Sequence, residues 1–195
     1  MTLFQPNAHD LDYYGVQSVG REPLRKYIDG FILIKEIADW AGDCAENWTL
    51  FDKHYVIFQL AQECFRKWEF QRETLDYRSQ YFADQLIQQI PLNSLNALYA
   101  VLTDENCKPI KYYLDGWNVV DEMEENLGSH LQEIEDIDHW YFISNVANAA
   151  CNQLSTSECC SVADEDLEEL LQRLDEIGGF DGAVSLIQWL SANLQ

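Results

Sequence analysis

Basic residues are missing between Lys111 and Arg173, where 61 residues include fifteen Asp and Glu but no Lys or Arg. When the chain is divided after Ala100, the N-terminal half carries 14 acids against 9 bases, and the C-terminal half 20 acids against 3 bases. Most of the formal net charge of −22 therefore belongs to the C-terminal half. Because a surface of this sign repels phosphate, we expect no direct binding to nucleic acid.

Long hydrophobic runs are missing as well. No apolar stretch approaches the roughly 18 residues that a membrane-spanning helix requires. The N-terminus also lacks the basic region and hydrophobic core of a secretory leader. We therefore expect no membrane association and a cytoplasmic location.

The sequence contains none of the common catalytic motifs. It has no Gly-x-Ser-x-Gly elbow, no phosphate-binding glycine loop and no dinucleotide-binding fingerprint. Only four histidines supply the commonest general base. One of them, His54, lies at the start of an apolar helical pattern, and we interpret it as a capping or core-edge residue. These absences favour a non-enzymatic protein without a cofactor.

Hydrophobic residues, by contrast, are plentiful. They make up 47% of the chain and aromatic residues 13%, which is too much for a disordered acidic segment. Apolar residues recur at three- and four-residue spacing, the pattern of core-facing helices. The sequence predicts a mainly α protein that forms a single compact domain over residues 1–195, with about six to seven helices.

The chain divides into segments of different charge and pattern. Residues 1–20 lack periodicity, which predicts an irregular N-terminal arm. Residues 21–90 form a less acidic helical half, and residues 115–195 a strongly acidic one. Gly178 and Gly179 separate two apolar helical patterns, which predicts a C-terminal helical hairpin.

The segment 97–114 admits two interpretations. Residues 97–103 and 110–114 are short runs rich in Tyr, Val and Ile, separated by a polar stretch with a proline, which is typical of a short β-hairpin. A helix followed by a loop is the alternative, because Leu98 and Leu102 also fit one helical face.

The acidic half supplies the leading functional hypothesis. Seven carboxylates are the candidate partner-binding residues: Glu122, Glu124, Glu125, Glu133, Glu135, Asp136 and Asp138. Acidic side chains near one another attract a basic surface and accelerate its encounter. We expect a binding protein, inhibitor- or immunity-like, that engages a basic protein surface and masks a nucleic-acid-binding protein. Solubility alone is the simpler explanation of the same charge.

A metal site is one alternative. His130, Asp136 and His139 offer nitrogen and oxygen ligands within one short stretch, and Asp136 and His139 share a helical face. A di-iron carboxylate bundle requires Glu-x-x-His motifs, and the sequence contains none. The same residues also fit the solvated acidic start of a helix.

A small-molecule site is the other alternative. Tyr141, Asn145, Asn148 and Asn152 recur at intervals of three and four residues, which places them along one helical face. Because Asn has poor helix propensity, such a stripe contributes little to local stability and is suited to hydrogen bonding with a ligand. Plain solvent exposure is the competing explanation. The oligomeric state stays open.

Overall fold

The computed structural model describes residues 23–69, 75–103, 107–154, 162 and 164–194. Within these ranges the backbone forms nine α-helices and two short 3-10 segments, Leu24–Lys26 and Leu174–Ile177, and no strand. The helices are α1 (Ile32–Ala41), α2 (Leu50–Glu69), α3 (Tyr77–Gln89), α4 (Leu92–Thr103), α5 (Ile110–Leu114), α6 (Asn118–Leu127), α7 (Asp136–Leu154), α8 (Asp164–Gln172) and α9 (Phe180–Ala192). The predicted mainly α class is confirmed, with more helices than expected. The predicted arm, residues 1–20, lies outside the described residues.

The predicted β-hairpin is wrong. Residues 97–103 form the C-terminal part of α4, and residues 110–114 form the separate helix α5. Leu98 and Leu102 are buried on one face of α4, while Ile110 and Leu114 are buried one turn apart on α5. The strand propensity of Tyr, Val and Ile reflects packing on a half-buried sheet. Here the helical register buries Tyr99, Val101 and Ile110 without a sheet.

The long helices α2 and α7 form the centre of the fold. Their mutual contact is the most extensive in the structure, and α9 packs on α2 while α3 packs on α7. Helix α2 begins with a capping box, in which the Asp52 amide donates to Thr49 Oγ1 at 3.1 Å and the Thr49 amide donates to Asp52 Oδ2 at 2.9 Å. The apolar faces of Ile57, Leu60 and Phe142 are fully buried in the core that results.

The two C-terminal helices are present. Helix α8 ends at Gln172, and the chain continues through the 3-10 segment to Gly178, which adopts the left-handed conformation with φ 98°. Leu167, Leu170 and Leu174, which belong to the apolar helical pattern before Gly178, are buried. Both α8 and α9 contact α2, so α2 organises this end of the chain as well.

Gly182, in the first turn of α9, allows a close backbone approach. A Cβ atom at this position would lie 2.5 Å from the Ile177 carbonyl oxygen and 2.8 Å from Ile177 Cγ1. Replacing glycine by alanine in a helix normally stabilises a protein by about 1 kcal/mol. At this crowded position we expect Gly182→Ala to lower the free energy of unfolding by about 1–3 kcal/mol instead, measured by urea denaturation.

Ser185→Ala is the matched control for this prediction, because Ser185 lies on the same helix and is only partly buried. Its effect should stay within about 0.5 kcal/mol. A Gly182→Ala protein more stable than the wild type would show that the α9 turn has room for a side chain, contrary to the structure.

Candidate functional site

Five of the seven candidate carboxylates are exposed and close in sequence. Glu122 and Glu125 lie on α6, Glu133 and Glu135 lie in the loop that follows it, and Asp136 is the first residue of α7. We call these five residues the acidic surface. No ion pair joins any of them to another residue within the described ranges.

The loop between α6 and α7 folds back on α6 and holds this surface in place. The Glu133 amide donates to the Leu127 carbonyl at 3.1 Å, and the Leu131 amide donates to the Gly128 carbonyl at 3.0 Å. Gly128, with φ 81°, and Leu131, with φ 55°, turn the chain, and Leu131 is buried. The loop carboxylates are therefore carried on a hydrogen-bonded turn next to the end of α6.

The other two candidate carboxylates have partners. Glu124 forms an ion pair with Lys111 at 2.5 Å, and Asp121 contacts the same amine at 2.9 Å. Asp138 is only 1% exposed and accepts a hydrogen bond from the Asp76 amide at 3.0 Å, which links α7 to the start of α3. Burial raises the pKa of the Asp138 carboxyl. Asp138 therefore holds two helices together and is not available at the surface.

Two of the three bases that follow Ala100 form ion pairs with nearby carboxylates. Lys111 lies between two carboxylates of α6. Arg173 contacts Glu36 at 2.7 Å, Glu169 at 2.8 Å and Glu176 at 3.0 Å. Such exposed ion pairs contribute little to stability. They do, however, keep these two cations beside other carboxylates, so the charge of the acidic surface is not compensated by them.

The metal-ligand candidates do not converge. His130 is exposed, with Nδ1 at 3.8 Å from Cys107 Sγ, and Asp136 is exposed at the start of α7. His139 is partly covered, and burial lowers the pKa of its imidazole. In the part of the chain that the structure describes, no three His, Cys, Asp or Glu side chains are grouped so that they could hold a metal ion.

The polar stripe of α7 lines a groove instead. Tyr141, Asn145 and Asn148 face the partner helix α2, while Asn152 is exposed and lies beyond the groove. The groove has a volume of about 220 Å³. We call it the α2–α7 groove, and its lining residues are Phe58, Gln62, Phe65, Tyr141, Ser144, Asn145 and Asn148.

The walls of this groove combine aromatic and polar groups. The ring centroids of Phe65 and Tyr141 are 6.0 Å apart and the rings are inclined by 55°. Asn145 Nδ2 donates to the Tyr141 carbonyl at 2.8 Å. Burial, together with nearby Asp84, raises the pKa of the Tyr141 hydroxyl. An aromatic wall beside amide groups is suited to a ligand with both a flat face and polar atoms.

A second groove of about 220 Å³ lies between α1 and α8. Leu33, Ile37 and Leu170 form its apolar floor. The contacts of Arg173 with Glu36 and Glu169 cross it and connect the two helices. Three of its four charged side chains, Glu36, Glu169 and Arg173, are therefore occupied by one another.

His54 is completely buried, which departs from its expected position at the core edge or as a cap. Thr49 and Asp52 cap the helix in its place. His54 Nδ1 lies 3.1 Å from the Tyr99 hydroxyl, while Nε2 has no partner in the described part of the chain. Burial, and then the neighbouring Lys53 amine, lower the pKa of His54 to about 4.

Comparisons with protein-family models, with curated proteins and with solved structures give no match to this chain. Among the described helices none is both long and apolar enough to cross a membrane. The acidic surface and the α2–α7 groove are therefore the features of the molecule that bear on its function.

Proposed function

We propose that this protein is a non-enzymatic binding protein whose acidic surface engages a basic protein partner, in the manner of an inhibitor or immunity protein. The observation that carries the proposal is the set of five exposed carboxylates without an ion pair in the described ranges. A partner that binds nucleic acid through basic residues has the complementary charge. Binding would then mask its nucleic-acid site.

Charge steers the encounter, but affinity also requires buried anchors. Electrostatic complementarity raises the association rate, while a few desolvated aromatic or arginine side chains supply most of the binding energy. Tyr112 is 57% exposed and follows Lys111, whose amine is bound to two carboxylates of α6. This tyrosine lies on α5, which packs on α6, the helix that carries Glu122 and Glu125, and it is suited to serve as an anchor.

Capture from an extract of the source cell at low salt tests the proposal. The bait is either the wild type or a neutralised variant, with Glu122, Glu125, Glu133 and Glu135 changed to Gln and Asp136 to Asn. We expect the wild type to retain one basic protein in stoichiometric amount beyond about 0.15 M salt, where contacts between exposed charges alone are largely screened. The neutralised variant should lose that protein at lower salt.

Two outcomes would contradict the proposal. One is equal retention of the basic protein by the wild type and the neutralised variant, since the acidic surface would then play no part. The other is a mixture of many basic proteins that all elute below about 0.15 M salt, as expected for a charge that serves solubility alone.

A further inference from the structure

The α2–α7 groove contains polar side chains whose hydrogen-bonding capacity is unused. Gln62, Ser144 and Asn148 form no side-chain hydrogen bond to any residue in the described ranges, and Asn145 uses only its Nδ2 group. Ser144 is only 9% exposed, but neither its hydroxyl nor any other polar atom lining the groove is among the fully buried atoms without a partner in the described ranges. These groups are therefore accessible from the groove and available for hydrogen bonds with a ligand.

Three aromatic rings stand beside these polar groups. Phe58 and Phe65 come from α2, and Tyr141 comes from α7. Phe65 and Tyr141 are inclined by 55°, so these two rings are not stacked face to face on each other. Because the face of an aromatic ring is negative, such a wall attracts a cation or a flat polar group.

The electrostatic surroundings decide between ligands of different charge. Among the residues that the structure describes, no Lys or Arg lines the groove, and Asp84 is close enough to Tyr141 to act on its hydroxyl. The whole chain carries a formal net charge of −22. An anion would therefore be repelled, and a cation would be attracted both by the field and by the ring faces.

We propose that the α2–α7 groove binds a planar guanidinium group, which stacks on the aromatic rings and donates hydrogen bonds to the side-chain oxygens of Gln62, Ser144, Asn145 and Asn148. A guanidinium presents five N–H donors in one plane and no acceptor, which matches a set of oxygen acceptors beside ring faces. The volume of about 220 Å³ suits this group and a short alkyl stem, and is smaller than the sites of drug-sized ligands.

The guanidinium has two possible sources. It belongs either to a free small molecule or to an arginine side chain of the basic partner. Binding of a guanidinium group in the groove is independent of the proposed function. Only its assignment to an arginine of the basic partner rests on that function. An arginine inserted here would be a desolvated anchor of the kind that dominates interface energetics.

Titration of the full chain with ethylguanidinium tests the chemistry directly. Its neutral isostere, N-ethylurea, has the same planar shape without the charge. We expect ethylguanidinium to shift the NMR signals of the side-chain amides of Gln62, Asn145 and Asn148, with N-ethylurea binding at least about fivefold more weakly. Equal binding of the two compounds, or shifts spread over the acidic surface instead of the groove, would overturn the proposal.

Two asparagine variants on α7 provide a matched pair. Asn148→Ala removes a groove acceptor at an exposed helical position, where alanine favours the fold. It should weaken ethylguanidinium binding by about threefold or more, a loss within the range of one ordinary hydrogen bond. Asn152→Ala, one turn farther along the same exposed face and outside the groove, should leave binding unchanged. Equal effects of both variants would contradict the assignment.

A tripeptide, Gly-Arg-Gly, and its citrulline counterpart identify the source. Tighter binding of Gly-Arg-Gly than of ethylguanidinium assigns the site to a side chain of a polypeptide, and weaker binding assigns it to a free compound; both results retain the guanidinium preference. The two proposals fail separately. Loss of partner capture with intact ethylguanidinium binding removes the proposed function alone, and the reverse result removes the guanidinium site alone.

Discussion

Acidification from pH 7 to pH 5 is expected to lower the free energy of unfolding by about 2 kcal/mol through His54 alone. The imidazole is completely buried, and its pKa is lowered from 6.5 to about 4. Below pH 6.5 the unfolded chain therefore takes up a proton that the folded protein does not accept until about pH 4. The stability that neutral His54 provides is present above pH 6.5 and is lost as the pH falls towards 4.

Urea denaturation at pH 7 and at pH 5 measures this effect. Most ordinary carboxyl groups titrate below that window, so histidine is the main contributor within it. His54→Asn replaces the imidazole by a group that does not titrate, and it should remove about 2 kcal/mol of the change between the two pH values. The quantity compared is the change in the free energy of unfolding between pH 7 and pH 5. A destabilisation of the variant that is equal at both pH values therefore does not affect it.

His130→Asn is the matched control, because His130 is exposed, and it should keep the pH dependence of the wild type. His139 acts in the same direction as His54, since burial lowers its pKa as well, but it is present in both proteins that are compared. An unchanged difference between pH 7 and pH 5 in His54→Asn would show that His54 is protonated, or accessible, in the folded protein.

Most of the helical architecture follows from the periodicity of the apolar residues. The stripe that contains Leu167, Leu170 and Leu174 predicts a buried face, and the structure places these residues in the core. The segment 97–114 shows where periodicity fails. Its short runs satisfy both a strand pattern and a helical one, and only packing of α4 against α7 and α9 selects the helix.

From the sequence, the candidate site could be predicted only within a single helix, because the pairing of helices was unknown. The spacing of Tyr141, Asn145 and Asn148 predicts a polar face on α7, but the aromatic wall contributed by α2 depends on which helices pair. Phe58 and Phe65 are seven residues apart, which places them on one face of α2. The sequence therefore contains this aromatic pattern, but it does not indicate which helix packs beside it.

Asp138 shows that the environment of a charged residue, too, depends on contacts that local sequence does not reveal. An acid in the first turn of a helix is normally solvated and favourable there. Its burial depends on the Asp76 amide, a hydrogen-bond donor 62 residues away in the sequence, and local rules carry no information about such a contact. Composition alone therefore predicts an acidic surface, but the structure is needed to separate its exposed members from its buried ones.

Neutralising the acidic surface is expected to slow association with the captured basic partner by about tenfold or more at low salt. The variant carries Gln at positions 122, 125, 133 and 135 and Asn at position 136. These side chains are exposed and form no ion pairs in the described part of the chain, so the fold should tolerate the changes. The dissociation rate should change less, because exposed charges mainly affect the encounter.

A second variant of the same net charge separates position from total charge. It neutralises five exposed acids elsewhere on the protein: Asp39, Glu165, Asp166, Glu168 and Asp181. Five neutralised carboxylates change the formal net charge from −22 to −17 in either variant. A difference between the two therefore reports where the charge lies, and not how much of it there is.

The most direct test of the account is the association rate of the wild type and both variants with the captured partner, measured by stopped flow from about 0.01 to 0.15 M salt, where the screening length falls from about 30 Å to about 8 Å. We predict that only the acidic-surface variant associates about tenfold more slowly at the lowest salt and loses most of the salt dependence. Equal rates for the two variants at every salt concentration would contradict the assignment of binding to the acidic surface.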